Sequence, residues 1–98
     1  MILYEVVLDV EPSSSSAVAE HMRRQHIPAI AATGCFRRIR FQQASPHRFR
    51  TTYEADTAAD LERYFQNHAP AMRAEFLAAF PTGVRLSRET WHEVESWG

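Results

Sequence analysis

The chain has 98 residues, 45% of them hydrophobic and 11% aromatic, enough for the packed core of one domain spanning residues 1–98 and too apolar for general disorder. The formal net charge is −1, which gives no global field for nucleic acid or an anionic membrane. Every basic residue is an arginine, so Schiff-base chemistry and a lysine-built phosphate loop are excluded, and the single cysteine, Cys35, excludes an internal disulfide.

Residues 2–10 alternate with period two. Ile2, Tyr4, Val6, Leu8 and Val10 share one face, which predicts a first strand. The acidic, alternating start MILYEVVLDV is unlike a signal peptide, and no apolar run approaches the roughly 20 residues of a membrane span, so a cytoplasmic location is expected. Glu11-Pro12 ends the strand, and the serines at 13–16 offer N-caps to a helix running to about Thr33. Val18, Met22 and Ala29 fall on one stripe of that helix, with Pro28 expected to kink or break it near His26. Gly34 closes it. Cys35 to Gln43 and Arg48 to Glu54 read as two strands of a hairpin around Ala44-Ser45-Pro46-His47. Thr57 and Asp60 open a second helix in the manner of a capping box. Leu61, Phe65, His68, Met72, Phe76 and Ala79 form its expected stripe, interrupted at Pro70. Val84 to Val94 reads as a fourth strand.

The order βαββαβ predicts an α+β, ferredoxin-like fold: a four-stranded antiparallel sheet with both helices on one face. The other face then meets water or a second copy, and Phe36, Trp91 and Trp97 exceed what a one-sided sheet needs to cover, which points to a homodimer. Charge is segregated along the chain. Residues 1–20 hold acids and no arginine, residues 21–53 hold seven arginines and no acid, and the remainder is acidic again. The expected use of this pattern is intersubunit pairing of Glu93 or Glu95 with Arg38, Arg40, Arg48 or Arg50, with Trp91 and Phe36 supplying the apolar burial.

Three segments, MILYEV, HIPAIAATGCF at 26–36 and YFQNHAPAMRAEF at 64–76, resemble a bacterial family known as domain of unknown function 4286. The likeness covers nearly the whole chain in the right order. It implies a relation to the dimeric α+β barrels, whose members include cofactor-free monooxygenases, haem-degrading enzymes and stress-induced proteins. The hairpin between the second and third strands is shorter here than is usual in the family, and HRFRTTYEA is more basic.

His26 and His68 each stand two residues before a proline, and both are expected on the helix surface that covers the sheet. Two imidazoles there are either buried groups bonded to backbone at a kink or the polar part of a ligand pocket, with Tyr4, Tyr53 and Arg73 beside them. The pocket reading gives a protein that binds a small apolar or aromatic metabolite. Its alternative is a cofactor-free monooxygenase-like or isomerase-like enzyme. No metal site and no cofactor are expected, because His21 and His26, five residues apart, diverge by about 140° on a regular helix. Cys35 is expected to be a small core residue. The basic hairpin lacks the glycine and paired aromatics of an RNA-reading sheet, so nucleic acid is not an expected partner.

Overall fold

The computed structural model describes residues 1–98. Four strands, β1 (Ile2–Val10), β2 (Arg38–Ser45), β3 (Arg48–Ala55) and β4 (Val84–His92), form one antiparallel sheet in the order β2-β3-β1-β4. Between them lie α1 (Ser15–His21), α2 (Ile27–Ala31), α3 (Ala58–Asn67) and α4 (Ala69–Ala79). The sequence therefore builds the ferredoxin-like βαββαβ plan that its periodicity predicts.

Cross-strand pairing sorts the two faces. Tyr4 stands opposite Tyr53 and Thr90, and Leu8 opposite Phe49 and Leu86, so these positions share the face under the helices. Ile2, Tyr4, Leu8, Val10, Phe49, Thr51, Tyr53 and Ala55 are buried there against Val18, Met22, Ile30, Leu61, Tyr64, Ala69 and Phe76 from the helices. Cys35 is buried in the same core. Phe36, expected at an interface, packs inside the subunit, its ring 5.1 Å from Tyr53 and 4.9 Å from Tyr64. The sequence places it on a strand, but Cys35–Arg37 precede β2 and follow a turn in which Gly34 takes φ +73°.

Both prolines act as expected, but by different devices. Pro28 is accommodated by a π-helical turn, Met22–His26, between α1 and α2, with Ile27 N–H bonded to Met22 C=O. A wider turn takes in the residue whose carbonyl the proline ring would otherwise strike. Its extra residue shifts the helix phase by one, so Ile30 is buried and Ala29, the expected stripe residue, is exposed. Pro70 instead sits in the first turn of a new helix, α4, separated from α3 by His68 at φ −128°. That break also moves the phase by one residue. Ala69 is buried, and His68 is only half-buried, stacked against Tyr64. The expectation of a largely buried His68 on the sheet-facing stripe is corrected accordingly.

Helix α3 starts as read, with Asp60 N–H donating to Thr57 Oγ1 at 3.1 Å. The serines do not cap. Pro12–Ser14 form a short 3₁₀ turn, Ser14 makes no side-chain cap, and the Ser15 hydroxyl donates to Pro46 C=O across the molecule.

On the open face of the sheet, three of the seven arginines of the basic middle pair with acids of the same subunit. Arg48 pairs with Asp9 at 3.1 Å, Arg50 with Glu5 at 3.6 Å and Arg38 with Glu54 at 3.7 Å. The acids of β1 thus meet the arginines of β3, because antiparallel pairing lays Asp9 opposite Arg48. Strand β4 ends at His92, so Glu93 and Glu95 lie beyond it, exposed, and strand alternation does not assign them a face.

Candidate functional site

Between the helices and the sheet the side chains leave a cavity of about 30 Å³, room for one or two waters. Its apolar wall is built chiefly from Val6, Leu8 and Leu86 of the sheet and Met22, Ile30, Met72 and Phe76 of the helices. Tyr4, Tyr53, Tyr64, His26, Arg73 and Arg88 complete its lining. Four of the five residues expected in a pocket, His26, Tyr4, Tyr53 and Arg73, therefore line one cavity. His68, displaced by the α3–α4 break, does not line it.

Strand alternation carries Tyr4 on β1, Tyr53 on β3 and Arg88 on β4 to this face, Arg88 lying opposite Val6. The Tyr4 and Tyr53 rings stack at 5.7 Å, and Phe65 meets Tyr4 edge-on at 5.0 Å. Arg73 reaches down from α4 and donates to the Tyr4 hydroxyl at 3.3 Å. Neither Arg73 nor Arg88 has a carboxylate partner, whereas six other arginines do.

Burial holds the Tyr53 and Tyr64 phenols well above the usual tyrosine range, and the neighbouring phenols, Tyr64 for Tyr53 and Tyr4 for Tyr64, raise them further. The unfolded chain releases these protons near the ordinary value of 10.0, while the folded chain still holds them. The associated stability is therefore complete below about pH 10 and is lost as pH rises above it. Alkaline titration should show tyrosinate absorbance from these two residues appearing together with unfolding. Smooth ionisation of all three tyrosines near pH 10 with the fold intact would contradict their burial.

On the helical side, Glu75 of α4 faces two histidines. His26 Nδ1 lies 2.9 Å from Oε2, and His21 Nε2 lies 2.7 Å from Oε1. The carboxylate can only accept, so His26 Nδ1 donates, and in the neutral form of the ring that leaves Nε2 as the acceptor. Phe76 flanks both imidazoles, at 5.4 Å from His26 and 6.2 Å from His21, and Phe80 stands 5.3 Å from His21.

The π-turn makes this grouping. On a regular helix His21 and His26 diverge, but i→i+5 bonding brings residues five apart onto one side, and the rings lie 6.3 Å apart. The sequence expectation of divergence fails on that one extra residue. Three more site residues were not anticipated: Glu75, Tyr64 and Arg88. Glu75 directly precedes the stripe residue Phe76, and Arg88 continues the Val84-Leu86 alternation, so Arg88 had a legible signal.

A helix pair laid across one face of a four-stranded antiparallel sheet, with a lined cavity between the layers, is the ferredoxin-like α+β fold, and solved structures share it. An ethyl tert-butyl ether D (EthD) family protein from Bacillus halodurans is similar at 15% identity, covering 96% of this chain and 100% of that one, with a TM-score of 0.73. A candidate antibiotic biosynthesis monooxygenase from Deinococcus radiodurans is similar at 12% identity, over 100% of this chain and 97% of that one, with a TM-score of 0.68. A protein of unknown function from Nitrosomonas europaea matches at 13% identity, over 99% and 94%, with a TM-score of 0.67. The chain belongs to the family described as domain of unknown function (DUF4286), which it matches over residues 1–94. No curated protein matches the chain. No helix is long and apolar enough to cross a membrane.

Proposed function

We propose that this chain forms a homodimer whose subunits each bind a small acid with an apolar or aromatic body in the cavity between helices and sheet. The observation that carries the reading is that two of the five arginines without a carboxylate partner, Arg73 and Arg88, line the same mostly apolar space while keeping part of their side chains exposed. A guanidinium in such a place is matched by a carboxylate or enolate. The cavity as it stands is smaller than a metabolite, so the ligand displaces Met22 and Met72, flexible side chains suited to repacking. The homodimer rests on the half-exposed Trp91 on the open sheet face, beside its cross-strand neighbour Leu3.

Benzoate and its neutral counterpart benzamide test the reading. Benzoate should raise the melting temperature in a saturable manner and benzamide should not, and Arg73→Met should abolish the effect while leaving the unliganded fold intact. Equal effects of the two compounds, or an unchanged response in the Arg73 variant, would remove acid recognition from the account.

A second reading, an isomerase-like activity, is favoured by the Glu75–His26 contact alone. A carboxylate-held imidazole is built to take a proton at Nε2, and Arg73 would hold the resulting enolate. Enolisation of phenylpyruvate in D2O, faster than the buffer rate and lost in His26→Asn, is the expected sign. A rate equal to the buffer's would leave ligand binding alone.

A further inference from the structure

We propose that His21, His26 and Glu75 form a binding site for a divalent transition-metal ion of the zinc type. The donors are His21 Nε2, His26 Nδ1 and a Glu75 carboxylate oxygen, all within 4.8 Å of one another, and binding moves the His26 hydrogen from Nδ1 to Nε2 so that the Nδ1 lone pair faces the ion instead of donating to Glu75. Two imidazoles and a carboxylate are borderline ligands that suit zinc, cobalt, nickel or copper rather than calcium or magnesium. Tetrahedral ligands about 2.0–2.2 Å from zinc stand about 3.3–3.5 Å apart. The nitrogen–oxygen separations, 2.7 Å to Oε1 and 2.9 Å to Oε2, open by about half an ångström on binding, while donors as far as 4.8 Å apart draw together by rather more, a rearrangement within reach of side-chain rotation.

Two further observations point to a ligand. His21 Nε2 is shielded from solvent and, although 2.7 Å from Glu75 Oε1, makes no hydrogen bond of acceptable direction to it. Neighbouring ligands of one ion have this relation, because their lone pairs converge on the metal and not on each other. The second is the π-turn, which brings to one side two histidines that a regular helix would separate. The two histidine side chains are about nine-tenths buried, while Glu75 is 37% exposed and opens the way in from solvent. Three protein donors leave a fourth position for water or an exogenous group.

Calorimetric titration of the untagged chain, stripped with EDTA, against Zn²⁺ tests the site, with Co²⁺ absorption reporting coordination geometry. One ion per chain is expected. His21→Ala and Glu75→Gln should each weaken binding by at least about tenfold, whereas His47→Ala, at an exposed turn, should not. Glu75→Gln preserves the shape of the side chain, so the test stands if His21→Ala fails to fold. Absence of saturable binding, or binding that survives both substitutions, would overturn the site. His21 does not line the cavity, so Arg73→Met should remove the benzoate response and leave Zn²⁺ binding as it is. Each proposal therefore fails separately.

Discussion

Phe76→Ala should lower the stability of this domain by about 3–5 kcal/mol, the usual cost of emptying a buried aromatic position. Phe76 is 5% exposed. It closes the core cluster that joins Leu8, Val10 and Phe49 of the sheet to Val18 and Met22 of the first helical segment. Its ring also meets His21, His26 and Phe80, so the loss frees both imidazoles to change rotamer. Against a typical total of about 5–15 kcal/mol, this substitution consumes a large share of the whole. Urea denaturation should show a strongly lowered midpoint with an unchanged slope. A loss below about 1 kcal/mol would mean that α4 is not held to the sheet through this residue.

Trp91→Ala should convert the proposed homodimer to a monomer with its secondary structure intact. Trp91 is 50% exposed on the open face, opposite Leu3 on β1, and takes no part in either core cluster. An exposed aromatic of this size near the end of the edge strand β4, beside Leu3 and on a face rich in arginines and acids, is a natural anchor of an interface, since such residues carry most of the binding energy of a patch. The ion pairs of this face close within the subunit, Arg48 with Asp9 and Arg50 with Glu5. Added salt should therefore change dimer affinity little. Sedimentation at micromolar concentration checks both points. A Trp91→Ala chain that still sediments as a dimer would move the interface elsewhere.

The strands were legible because alternation survives any context. Ile2 to Val10 and Val84-Leu86-Arg88 point as period two requires, and antiparallel pairing then fixes which residues share the helix-covered face. The helices were legible in extent but not in phase. A stripe counted at a regular pitch runs off by one residue wherever a proline is accommodated, and this chain does so twice, through the Met22–His26 turn and through the break at His68. That single-residue slip exchanged Ala29 for Ile30, removed His68 from the cavity and brought His21 in beside His26. Tyr4, Tyr53 and Arg73 were found because their elements keep regular phase between breaks. Glu75 was not, since its role depends on two histidines that converge only through the π-turn.

The cavity reading stands or falls on what His26 experiences when an acid binds. Imidazole ¹⁵N resonances, recorded with and without benzoate, report this directly. The account predicts a saturable shift of His26 Nε2 that disappears in Arg73→Met, with His47 and His92, both exposed, unmoved. Shifts confined to residues of the open sheet face, or no change at His26 at saturating benzoate, would contradict it.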